Sequence, residues 1–169
     1  MGASVLKKNV VAVCGLKNSG KTMLIEGVVR HLTAKGLRVA VIKHDGHDFT
    51  CDVPGTDSAA FTAAGAYGVA VFSKERIFVH KTGCGENETY LQSLFPEADL
   101  ILIEGCKDSA YKKIEVIRRG ISDTPVSNPD GRFLIATDHP EGYFKEETLP
   151  RSDASRIADA VWRKVRENT

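Results

Sequence analysis

Eight consecutive residues, Gly15-Leu16-Lys17-Asn18-Ser19-Gly20-Lys21-Thr22, carry the densest chemical signal in the chain. Two glycines separated by four residues, then a lysine and a threonine, let successive backbone N–H groups curl around one anion. The run leads straight into a helical pattern, so the partial positive charge of a helix N-terminus faces the same spot. In such a loop Lys21 brings an ammonium to the β- and γ-phosphates of a nucleotide and Thr22 offers its hydroxyl to Mg²⁺. Lys17, Asn18 and Ser19 count with Gly15, Gly20, Lys21 and Thr22 as nucleotide-binding positions. The alternative is a chance glycine-rich turn, which the strand before it and the helix after it disfavour.

A phosphate loop of this kind needs an acidic partner at the end of a neighbouring strand to hold the metal's hydration shell, because ligands sit at the carboxyl ends of parallel strands. Asp99 opens its strand and lies at the wrong end, whereas Glu104 closes it. Glu104 is therefore the metal candidate, and Gly105 is expected to offer an unhindered amide to a phosphate. The competing role for Glu104 is a carboxylate that merely caps the next turn.

The stretch from Lys43 to Asp52 gathers two histidines, a thiol and three carboxylates. A zinc site is one reading, although His44, His47 and Cys51 match no standard closed tetrahedral spacing. A nucleotide switch is another, with Asp48 and Asp52 reaching Mg²⁺ and Lys43 lying near the phosphates. A solvated loop for a partner is the third. Cys14 falls inside an apolar strand and reads as a core residue. His31, His80 and His139 show no evident partners and read as surface or packing residues. Asp138, at a late strand end, is either a base or ribose contact or an ordinary strand-end turn. No Asn-Lys-x-Asp motif reads guanine, so GTP and ATP stay open on the motifs alone, and no glutamine or arginine stands out as a water-orienting or finger residue.

These residues need a frame, and the pattern alternates strand and helix as in an α/β domain. Strands are predicted over 9–14 and 39–42, with a helix over 21–35 between them and Gly36 as its C-terminal cap. A long loop over 44–56 precedes a short helix over 58–64, capped by Asp57 and stopped by Gly65. Two short strands, 68–73 and 76–81, turn at Lys74-Glu75. A helix over 86–94, strands over 99–103, 114–118 and 132–137, a loop over 119–131 and a terminal helix over 153–167 complete the pattern. With no repeat, low-complexity tract or linker, the 169 residues read as a single domain.

Composition bounds the rest. Apolar residues at 42% and charged residues at 27% suit a globular protein. With 23 basic against 22 acidic residues the net charge is +1, which gives no global field for nucleic acid or an anionic membrane. The run Leu100–Ile103 is a buried strand rather than a membrane span. The N-terminus lacks a hydrophobic signal region, and Leu6 breaks the myristoylation pattern. Four dispersed cysteines without a CxxC pair read as reduced thiols, so a cytoplasmic location is expected.

Together the segments resemble a known family. The glycine loop, then Val41-Ile42-Lys43-His44 with His47 and Asp48, then Asp52-x-Pro54-Gly55-x-Asp57-Ser58 and Ala64-Gly65-Ala66 follow in order. Leu102-Ile103-Glu104-Gly105-x-Lys107 and Lys113-Ile114-Glu115-Val116-x-Arg118 come after them. This series is similar to the molybdopterin-guanine dinucleotide biosynthesis adaptor (MobB) family over residues 9–138, with Gly46 standing where the family often carries His. The resemblance implies a doubly wound, mostly parallel sheet flanked by helices, of the signal-recognition and MinD type of P-loop NTPases, beside the short antiparallel pair. It also implies a GTP- and Mg²⁺-binding protein with at most slow GTPase activity. Such a protein assists the molybdenum cofactor guanylyltransferase that joins GMP to molybdopterin, and does so as a homodimer. By position, Gly20, Lys21 and Thr22 serve phosphate and metal, Glu104 and Gly105 the second half of the site, and Asp48, Asp52 and Asp57 the loop. The competing class is a P-loop small-molecule kinase or ligase using ATP.

Overall fold

The computed structural model describes residues 9–45, 53–83 and 88–167. The chain divides into two compact units, one formed by residues 1–44 with 91–169 and the other by residues 45–90.

The first unit is built on β1 (Val10–Cys14), α1 (Lys21–Ala34), β2 (Val39–Lys43) and, after the second unit, β5 (Leu100–Glu104), β6 (Lys112–Ile117), β7 (Arg132–Thr137), β8 (Thr148–Pro150) and α4 (Ala154–Arg166). Its six strands run parallel in the order β2-β5-β1-β6-β7-β8. Because side chains alternate across a strand, each central strand feeds both faces. Val11, Val13, Leu100 and Leu102 join Leu24, Ile25, Val28 and Leu32 of α1 and Ile157, Val161 and Val165 of α4 in the larger core. Val10, Ile101, Ile103 and Ile42 form the smaller core on the other face, against Leu91. Unbroken apolar runs such as Leu100–Ile103 are what a sheet covered on both faces requires.

The ends of α1 follow local chemistry. Leu37 N–H donates to the Leu32 carbonyl at 3.2 Å and Gly36 N–H to Thr33 at 2.9 Å, a Schellman closure on the predicted glycine. The helix α4 starts where Asp153 accepts the Arg156 N–H at 3.1 Å. Asp159 ties the two helices by accepting from His31 at 3.0 Å and from Lys35. His31 thus has the partner that the sequence did not reveal.

Strand β8 was not among the predicted elements. It is three residues long, ends in a proline and lies at the sheet edge, where the missing N–H costs no ladder bond.

The second unit holds α2 (Asp57–Ala63) and an antiparallel ribbon of β3 (Gly68–Phe72) and β4 (Ile77–Lys81). Thr56, not Asp57, caps α2, accepting the Ala59 N–H at 3.4 Å. His80 meets Thr62 at 3.2 Å, again a partner unseen in the sequence. Ser73 closes the ribbon's turn: its N–H donates to the Arg76 carbonyl at 2.8 Å and its hydroxyl accepts the Arg76 N–H at 3.2 Å. The short helix α3 (Glu88–Ser93) ends one residue before the predicted 94, and residues 86 and 87 of that prediction lie outside the described residues.

Candidate functional site

The glycine loop leaves β1 at Gly15 and enters α1 at Lys21, at the carboxyl edge of the parallel sheet. Gly15 has φ +136°, and a Cβ there would lie 2.4 Å from the Val116 carbonyl oxygen, so no side chain fits. Asn18 takes a left-handed φ of 65° and Gly20 is the N-cap of α1 without a side-chain cap. The first N–H groups of a helix have no acceptor inside it, and here they are left facing the loop. Lys21 Nζ donates to the carbonyls of Gly15 at 3.0 Å and Leu16 at 2.8 Å, which arches the ammonium back over the loop. Ser19 is completely buried and its hydroxyl has no partner among the described residues.

Parallel pairing supplies the second half. Val13 of β1 is in register with Glu104 of β5, and Glu104 with Lys43 of β2, so three strand ends line up beside the loop. Thr22 Oγ1 stands 3.4 Å from each carboxylate oxygen of Glu104. A hydroxyl and a carboxylate meeting at a phosphate loop are hard oxygen donors of the kind Mg²⁺ takes. Lys43 is exposed at the end of β2, on the same row.

Gly105 requires a correction. Its N–H donates to the Val13 carbonyl at 3.0 Å, so the amide expected to approach a phosphate is spent on the sheet. Its glycine identity has another cause: at φ +109° a Cβ would press to 3.3 Å on His44. Asp48 and Asp52, with His47 and Cys51, lie outside the described residues. Among the described residues no group of three or more His, Cys, Asp or Glu side chains could hold a metal ion.

Cys14 is a core residue, as expected. Its thiol donates to the Gly105 carbonyl at 3.1 Å, and burial, reinforced by the nearby Glu115 carboxylate, pushes its pKa up to about 12. It stays protonated and unreactive at neutral pH.

Asp138 is a strand-end clamp. One oxygen accepts the Arg119 N–H at 2.6 Å and the other the Arg151 Nε at 2.8 Å. Burial pushes this carboxyl up, but those bonds outweigh it and hold it below the usual carboxylate range. His139 is enclosed rather than partnerless: it stacks on Tyr143 at 4.4 Å and reaches the Ser122 carbonyl at 3.2 Å and Asp123 at 3.3 Å.

Sequence reasoning missed the roles of two buried charges on β6. Lys113 is fully buried, its Nζ donating to the carbonyls of Ser109 at 2.6 Å and of Asp130. Glu115, also buried, accepts the N–H groups of Val126 at 3.0 Å and Ser127 at 3.2 Å. Lys113 pins the segments that lead into β6 and β7, and Glu115 holds the loop between those strands. The available signal was their spacing, two charges two residues apart on one face of a strand whose later residues are apolar.

Comparison with known proteins agrees with this architecture. The family described as "Molybdopterin guanine dinucleotide synthesis protein B" matches residues 10–138. A molybdopterin-guanine dinucleotide biosynthesis adapter protein of Escherichia coli is 34% identical over 132 residues, 75% of each chain. One from Haemophilus influenzae is 33% identical over 135 residues, 78% of this chain and 75% of that one. The crystal structure of Bacillus subtilis MobB superposes with a TM-score of 0.76 at 24% identity, covering 92% of this chain and 97% of that one. With the family match spanning residues 10–138 and relatives one-third identical over three-quarters of its length, the chain belongs to the MobB family.

Proposed function

We propose that the chain binds Mg²⁺–GTP in the Gly15–Thr22 loop and acts as an accessory protein in molybdenum cofactor biosynthesis. Its partner is the guanylyltransferase that attaches GMP to molybdopterin. The adapter names of its relatives support that role. The observation that carries the nucleotide reading is the meeting of Thr22 and Glu104, 3.4 Å apart, beside the arched Lys21.

Lys21 and the loop amides bind the β- and γ-phosphates, while Thr22 and Glu104 hold the metal, whose charge neutralises phosphate oxygens when bound. Lys43, in line with Glu104, adds a cation at the rim, and Asp48 and Asp52 are further metal candidates. The reading includes hydrolysis that is slow at most.

The reading extends to a cytoplasmic homodimer with one nucleotide-binding domain per chain. No helix among the described residues is long and apolar enough to cross a membrane. The ribbon β3–β4 presents Val71, Phe72, Ile77 and Val79 to solvent, an apolar surface suited to association with a second copy.

Paired calorimetric titrations with GTP and ATP, with and without Mg²⁺, test the proposal. GTP should bind tighter than ATP, and binding should weaken without metal. Equal affinities would remove the GTP assignment. Preference for ATP with fast phosphate transfer to a small acceptor would favour a kinase instead. Co-purification with the guanylyltransferase tests the partner.

A further inference from the structure

Arg151 directly follows β8, at the carboxyl edge of the sheet. It is tethered twice to the end of β7: its N–H donates to the Thr137 carbonyl at 3.0 Å, and its Nε to Asp138 at 2.8 Å. Asp138 is in turn fixed by the Arg119 N–H at 2.6 Å. This double tether aims the other end of the guanidinium at the glycine loop. A Cβ built on Gly20, the N-cap of α1, would lie 3.2 Å from Arg151 Nη1.

In charge terms that is a poor place for a cation. The N-terminus of α1 is itself positive, Lys21 follows immediately, and Arg118 Nη1 approaches the Asn18 carbonyl at 3.5 Å. Helix ends of this polarity favour anions, and a guanidinium there gains only when an anion shares the space. The completely buried hydroxyl of Ser19, without a partner among the described residues, lies in the same loop and points to the same need. Among the described residues, Asp138 is the hydrogen-bond partner of the Arg151 side chain, through one of its five N–H donors. The remaining fork matches phosphate oxygens, whose geometry a planar guanidinium recognises.

We infer that Arg151 is a nucleotide-contacting residue that binds the polyphosphate held in the Gly15–Thr22 loop, with Asp138 as the positioning residue that aims it. This rests on the nucleotide-binding reading above and adds a contact from the residue that follows the edge strand β8, beyond the loop motif.

Titration of the full chain with a fluorescent GTP analogue and Mg²⁺, followed by displacement with inorganic tripolyphosphate, tests it. Arg151→Ala should raise the Kd for the analogue roughly ten-fold, the scale of a charge-assisted contact, and weaken displacement by tripolyphosphate by the same factor. Arg151→Lys, which keeps the stem and charge but loses the fork, should weaken both about three-fold, and it serves if the alanine variant does not fold. Asp138→Asn should also weaken both about three-fold, yet add nothing in an Arg151→Ala background. Wild-type affinity in both arginine variants overturns the contact. Weakened GTP binding with unchanged tripolyphosphate displacement overturns it too, since the arginine would then touch the nucleoside. Additive losses in the double variant remove the role of Asp138. If the wild-type protein binds neither probe, the nucleotide-binding reading itself fails, an outcome distinct from a binding-competent protein indifferent to Arg151.

Discussion

The six-stranded sheet and the β3–β4 ribbon draw on the same residue types and use them in opposite ways. Ile101 and Ile103 in β5 are 1% exposed, whereas Phe72 and Ile77, paired across the ribbon, are 82% and 73% exposed. In the sheet, apolar side chains on both faces fix the strand ends that carry Lys43, Glu104 and the glycine loop. In the ribbon, comparable side chains are left in water, and a two-stranded ribbon is marginal by itself. The sheet uses its hydrophobicity to hold strand ends still; the ribbon leaves its own exposed, on the surface proposed above for association.

The contrast can be broken first at the site. Lys21→Ala should reduce Mg²⁺–GTP affinity by about 100-fold or more, since it removes a charge-assisted contact to the phosphates. The melting temperature should stay near wild type, because among the described residues the side chain bonds to loop carbonyls alone. Retained affinity in calorimetry would sink the central assignment. Next comes the frame: Leu102→Ala in the larger core should cost about 2–5 kcal/mol in urea unfolding. A cost below about 1 kcal/mol would mean that the sheet is not the rigid partner in the comparison.

For the ribbon the signs reverse. Phe72→Asp combined with Ile77→Asp should change unfolding free energy by about 0.5 kcal/mol or less, as exposed sites do. The same pair should shift sedimentation from dimer to monomer. An unchanged sedimentation profile would remove the ribbon from the association surface.

The smallest effect concerns Asp138. Its folded pKa is depressed, so its ion pair stabilises the fold above the unfolded carboxylate value and the benefit is lost as pH falls through the folded one. Asp138→Asn should therefore be less stable than wild type at pH about 6, with the gap narrowing below pH about 4. The groups are partly exposed, so the gap should be modest. Urea melts at both pH values would show it, and a gap that does not change with pH would mean that the pair contributes nothing through ionisation.

Much of this was legible beforehand, for identifiable reasons. The glycine loop is read by spacing alone, and β1, α1, β2, β5 and β7 declare themselves by uninterrupted β-branched runs or helical periodicity. The position of Glu104 beside Thr22 follows from its place at a carboxyl strand end, a rule of topology rather than of sequence. Strand β8 escaped because Thr148-Leu149-Pro150 is too short to show a period. The roles of Lys113 and Glu115 escaped because charge in a strand signals exposure unless something local cancels it. Here the cancelling groups are backbone carbonyls and N–H groups of the segments flanking the strand, which only the folded chain brings onto it. The Gly105 amide was misjudged for a related reason: only the β1 register reveals that Val13 already accepts from it. Arg151 depended on β8, and so fell with it.

The edge strand β8 carries a further consequence. An exposed edge is where a foreign strand adds on and where fibrils begin, and natural sheets blunt such edges. Three residues closing in an imino acid offer an incoming chain little to copy, so the sheet is sealed against templated growth on that side. The residue that follows the seal is Arg151. A graft lengthening β8 to present a longer edge would therefore trade resistance to aggregation and the placement of that arginine at once.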